Sequence, residues 1–77
     1  MNERIIYTLW SCGHAGMRRL DPAQADVETA MTLAASLAKN FNVAIHVDEA
    51  TYQGDTLIYN LPYARFNATG ECTWRNE

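Results

Sequence analysis

Only one stretch of this chain carries a helical period. In DPAQADVETAMTLAASLAKNFN, the residues Val27, Ala30, Met31, Ala34, Leu37, Ala38 and Phe41 recur every three or four positions and form one apolar stripe. The rest of the chain reads with period two. A chain of 77 residues with a single helix has no second helix on which to bury that stripe, so the stripe must lie on a sheet. Alanines within it allow a close approach. Asp21 is expected as the N-cap, with Pro22 at the first helical position and Gln24 completing an acidic variant of the capping box. Asn40 and Asn42 suit the other end. Gln24, Glu28, Thr32 and Lys39 form the solvated side.

Residues 4–10, RIIYTLW, are β-branched and aromatic and read as a strand. Ile5, Tyr7 and Leu9 share one face; Ile6, Thr8 and Trp10 share the other. Both faces are substantially apolar, so this strand is either covered on both sides or leaves one side for a partner. VAIHV (43–47) and DTLIYNL (55–61) read as two more strands, with Val43, Ile45 and Val47 facing inward from one and Leu57, Tyr59 and Leu61 from the other. A three-residue loop, Tyr52-Gln53-Gly54, closed by Thr51 opposite Asp55, makes those sets agree. It places Val47 opposite Tyr59 and Ile45 opposite Leu61. His46 then faces away from the helix, opposite Asn60 and beside Asp48 and Ile58. After Pro62, a short strand, a turn at Thr69-Gly70 and a last strand with Cys72 and Trp74 complete the chain. The expected fold is α+β: one domain over residues 1–77, in the order β-α-β-β with one further β-ribbon, its antiparallel sheet carrying one helix on one face.

A domain of this size buries about 60% of the surface its unfolded chain exposes, so a partner or a dimer interface weighs heavily in its stability. Hydrophobic residues at 48% and charged residues at 19% give a globular balance. A net charge of -3 and a pI near 5.2 argue against direct nucleic-acid binding. Arg4, Lys39, Arg65 and Arg75 do not cluster along the sequence either. Glu3 and Arg4 interrupt any secretory apolar stretch, and no run spans a bilayer. The expectation is a cytoplasmic protein, off the membrane, with both cysteines reduced.

The stretch SCGHAG raises three chemical possibilities. Cys12, His14 and Cys72 are the candidate ligands of a metal- or ligand-binding domain. However, structural zinc sites bring paired short-spaced ligands, and no second pair accompanies Cys12-Gly13-His14. A Cys12–Cys72 disulfide requires the last strand to lie beside the first. Cysteine catalysis needs a base and an orienting group around the thiolate. GHAGMRR also offers glycine amides and Arg18 and Arg19 to a phosphate ahead of the helix. The plainer reading is a turn at Gly13 and Gly16, with Arg18 and Arg19 solvated or paired to carboxylates. No catalytic residue and no cofactor are assigned.

Binding is the stronger expectation. Asp48, Glu49 and Asp55 bracket a hairpin loop that carries Tyr52, an acidic tip with an aromatic anchor suited to a basic groove. Trp10, with Ile6, Ile58 and Trp74, falls on the sheet face the helix leaves open. In size, acidity and β-α-β-β order, RIIYTLW, the helix DPAQADVETAMTLAASLAKN and the hairpin VAIHVDEATYQGDTLIYNL together resemble the small phage- and mobile-element-encoded proteins that include anti-CRISPR inhibitors. The resemblance implies a stoichiometric inhibitor in the cytoplasm of a bacterial host cell, bound to another protein or a protein–nucleic-acid complex such as a bacterial CRISPR effector. It transfers no site residue. The expected protein is non-catalytic, and exposed strand edges leave it monomeric or homodimeric.

Overall fold

The β-branched and aromatic run at the start of the chain forms β1, Glu3–Gly13. The structure, a computed structural model, describes residues 2–13 and 16–76. The elements that follow are β2 (Gly16–Gln24), α1 (Val27–Phe41), β3 (Ala44–Gln53), β4 (Thr56–Phe66) and β5 (Cys72–Arg75). The five strands form one antiparallel sheet in the order β2-β1-β3-β4-β5. The α+β class and the single helix on an antiparallel sheet are as expected. The order is β-β-α-β-β-β, one strand richer before the helix, so the element order behind the resemblance changes by one strand. Because β2 and β3 both run antiparallel to β1, they run parallel to each other, and α1 crosses over β1 to join them.

The extra strand lies where the sequence suggested a turn and a helix start. β2 pairs with β1 from Gly13↔Gly16 to Tyr7↔Gln24, and its register shifts between Leu20 and Gln24. Asp21, Pro22 and Ala23 therefore stand opposite Thr8 alone. A proline is tolerated there because β2 is an edge strand and the position is bulged. The helix begins at Val27 because Asp26 caps it instead. Asp26 is extended (φ -104°, ψ 126°), and its Oδ2 accepts from Thr29 N at 2.9 Å and Thr29 Oγ1 at 2.8 Å. Those bonds hold the Asp26 carboxyl below its usual range. Asn42 closes the helix in the left-handed region (φ 52°), and Val43 N donates to Ala38 O at 3.1 Å.

The core is the expected stripe on an unexpected set of β4 residues. Ala30, Ala34 and Ala38 are fully buried and lie on Leu9, Ile45, Val47, Ala64 and Phe66. Having no side chain beyond Cβ, they let the helix axis approach the sheet closely. Phe41, at the end of the stripe, is 72% exposed. The β3–β4 turn is Gly54-Asp55, closed by Gln53↔Thr56, with Gly54 at φ 62°. Two bulges, at Ile58 and Tyr63, then move the register so that Val47 meets Ala64 and Ile45 meets Phe66. The expected partners Tyr59 and Leu61, with Leu57, are half exposed instead (58%, 50% and 49%). The three-residue loop is thus corrected to a two-residue one, and His46 faces Arg65 rather than Asn60.

Candidate interaction surfaces

Successive residues of a strand point to opposite faces. Asp48 and Glu49, adjacent in β3, are therefore split. Glu49 lies on the helix side and accepts from the Tyr7 hydroxyl at 3.1 Å. Burial, with Glu49 adding to it, pushes the Tyr7 phenol up to about 12. Asp48 lies on the open side between Thr8 and Pro62, half buried. Burial raises its carboxyl above the usual range, against the pull of His46 and Arg65. Tyr52 shares that side, about 13 Å further along the strand, with the Arg4 guanidinium 5.4 Å from its ring centroid. Asp55 sits in the turn, exposed. The acidic tip is not assembled. The acids expected there, with Tyr52, are spread over two faces and a hairpin end, while Trp10 sits mid-sheet.

The cysteines do not meet either. Cys12 is on β1 and Cys72 on β5, with β3 and β4 between them. Three strand spacings amount to about 14 Å, twice what a disulfide spans, and too far for two ligands of one metal ion. His14 lies outside the described residues. Burial pushes the Cys12 thiol up, with Arg65 opposing and Asp48 reinforcing, the reverse of an activated nucleophile. Among the described residues no three of His, Cys, Asp and Glu come together to hold a metal. The Gly13–Gly16 hairpin end lies near Asn42, at the C-terminal end of α1. That is the negative end of the helix dipole and the wrong one for a phosphate.

Two surfaces gather what the sequence scatters. The first is the sheet face away from α1, where Ile6 and Trp10 lie as expected. There Trp10 pairs with Arg19 and His46, His46 with Arg65, and Arg65 with Trp74. One residue from each of the five strands forms a row, Arg19–Trp10–His46–Arg65–Trp74. The Trp10 indole N–H donates to Thr8 Oγ1 at 3.1 Å, and the Arg65 guanidinium lies 5.8 Å from the Trp74 ring centroid. The second is the outer edge of β4. β5 pairs only with Ala64, Arg65 and Phe66, so among the described residues Thr56–Pro62 has β3 on one side and no strand on the other. This tract, TLIYNLP, carries no charge and exposes Leu57, Ile58, Tyr59 and Leu61.

The sequence offered Arg19 to a phosphate beside the helix and left Arg65 unclustered; neither their placement beside Trp10 and Trp74 nor the β4 edge was read from it. The row depends on strand order and the open edge on the shortness of β5, and no local motif encodes either. Comparison with protein-family models, with curated proteins and with solved structures gives no match. No helix among the described residues is long and apolar enough to cross a membrane.

Proposed function

We propose that this protein is a non-catalytic binding module, an inhibitor of phage or mobile-element type acting in the bacterial cytoplasm. Its docking element is the open edge of β4 rather than an acidic loop. The observation that carries the reading is the uncharged Thr56–Pro62 tract, which exposes Leu57, Ile58, Tyr59 and Leu61 and, among the described residues, lacks a strand on its outer side. Natural edge strands are usually blunted by charge, shortness, cover, proline or a bulge. This edge has a bulge at Ile58 and a proline at Pro62, but it is long, uncharged and uncovered, and is suited to receive a partner's extended segment, with backbone hydrogen bonds giving affinity and Tyr59 and Leu61 giving specificity. The resemblance in size and acidity makes a bacterial CRISPR effector complex the partner class to test first.

The test is biolayer interferometry of the immobilised protein against a panel of purified CRISPR effector complexes, beside sedimentation velocity of the protein alone. The reading expects one complex to bind and the Tyr59→Lys/Leu61→Lys variant to lose that binding while keeping its circular dichroism. Binding to none of the panel overturns the partner class. A homodimer that the same double variant dissolves assigns the edge to self-association and overturns the heterologous partner.

A further inference from the structure

The row across the open face concerns a different surface from the β4 edge and stands independently of it. By register, Arg4, Arg19 and Arg65 all lie on this face, half of the six cations in the chain. Among the described side chains Asp48 is the only acid there. Glu3 and Glu49 alternate to the helix side, Asp26 caps α1, Glu28 lies in its first turn, and Asp55 and Glu71 sit in turns. Among the described side chains charge is thus segregated, with three cations and one acid on this sheet face. The cations there are interleaved with flat rings: Trp10 between Arg19 and His46, Trp74 beside Arg65, and Tyr52 beneath Arg4. The row spans about 19 Å at the usual strand spacing.

Two properties of the face select its ligand together. Guanidinium groups favour anions, and phosphate above all, through planar paired donors. The half-buried Trp10 indole and the exposed Trp74 indole, three strand spacings apart, offer π-faces on which unpaired bases stack regardless of sequence. An acidic peptide satisfies the first property alone, and a duplex keeps its bases out of reach of the second. Open β-sheets that combine stacking rings with cations serve single strands in this way.

We propose that this face is a stacking platform for single-stranded nucleic acid, with Arg19 and Arg65 on phosphates and Trp10 and Trp74 under bases. A module with this face beside a strand-accepting edge is fitted to a nucleoprotein target, whose two components it would touch on two sides.

The indoles themselves provide the readout. Fluorescence is titrated with an oligothymidine and an oligouridine of about 10 nucleotides, a duplex of equal length, and polyglutamate, all at about 0.05 M salt. Quenching by the single strands is expected, with the logarithm of affinity falling against the logarithm of salt with a slope of about -1.4, as the two phosphate contacts of Arg19 and Arg65 require. Trp74→Ala is expected to weaken binding about tenfold. Arg65→Gln leaves both rings in place and is expected to reduce the slope by about 0.7. Tyr59→Lys/Leu61→Lys is expected to leave quenching by the single strands in place, which separates this proposal from the β4 edge. No quenching by either single strand overturns the platform. So does equal affinity for polyglutamate, for the duplex, or for the Arg65→Gln variant.

Discussion

The two halves of the sheet use the same strands and reach opposite ends. Towards the Cys12 end of β1, Leu9, Ile45, Val47, Ala64 and Phe66 lie under α1 and are at most 5% exposed. Towards the Glu3 end, the same strands continue past the helix, and there Ile5, Tyr59 and Leu61 are 44%, 58% and 50% exposed. The cause is length. Fifteen helical residues reach about 22 Å, whereas eleven strand residues reach about 36 Å. One helix covers little more than half the sheet, and the molecule is 40 Å long. Alternation of apolar residues therefore marks a strand without telling whether its apolar side has a cover. In this chain the uncovered half supplies the open β4 edge.

The largest expected contrast comes from truncating one apolar side chain in each half. Ile45→Ala removes a fully buried side chain under the helix and is expected to cost about 2–5 kcal/mol, with Ile45→Val a milder version near 0.5–1.5. Leu61→Ala in the overhang is expected to stay within about 0.5 kcal/mol. Urea unfolding of the variants decides it, and equal losses at Ile45 and Leu61 would remove the distinction between the halves.

A smaller contrast lies in the glycines. A Cβ on Gly70 would stand 2.9 Å from Ala35 O and 3.2 Å from Lys39 Cβ, at a φ of +88°. Gly54, at the tip of the overhang, has nothing within 4 Å of that point. Gly70→Ala is expected to lose about 1–3 kcal/mol, because the β4–β5 turn rests on the helix. Gly54→Asn should be nearly neutral, since asparagine tolerates the left-handed region. Thermal melts that rank the two the other way would detach that turn from α1.

The smallest effect belongs to the boundary between the halves, where the Tyr7 hydroxyl meets Glu49 and its ring meets Tyr63 edge-on at 5.3 Å. Tyr7→Phe is expected to cost about 0.5–1.5 kcal/mol at neutral pH. Because the folded phenol sits near 12 against an ordinary 10.0, the folded state favours the neutral form. That contribution is complete below pH 10 and disappears as the pH rises towards 12. Alkaline unfolding curves of the parent and Tyr7→Phe should therefore converge across that window; curves that stay parallel would place the phenol outside the boundary.

What the sequence made legible follows the same division. The helix stripe, β1, β3 and the outward orientation of His46 were all readable, because each rests on periodicity within one element. β2 was not, because GMRRLDPAQ does not alternate and Asp21-Pro22 has the chemistry of a helix start as well as that of an edge bulge. Asp26, five residues later, offers the same cap, and tertiary pairing of β2 with β1 decides between the two. The β4 register depended on bulges at Ile58 and Tyr63, for which neither residue type is a signal. Of the candidate surfaces, Trp10 and Trp74 were visible on the open side. Their neighbours Arg19 and Arg65 were not, since adjacency across strands is a property of topology.

The strand order also says where the folding barrier should lie. β1–β2, β3–β4 and β4–β5 are each pairings of strands consecutive in the chain, and each closes through a short connection. β1–β3 alone is distant, running from Cys12↔Ala44 to Glu3↔Gln53 across the intervening strand and helix. Closing that long loop costs chain entropy before any contact repays it. The N-terminal hairpin and the C-terminal meander are thus expected to form first and then meet along a single seam. Its Tyr7 and Trp10 side chains lie on opposite faces of the sheet, so one joining event completes the buried core and the open face together.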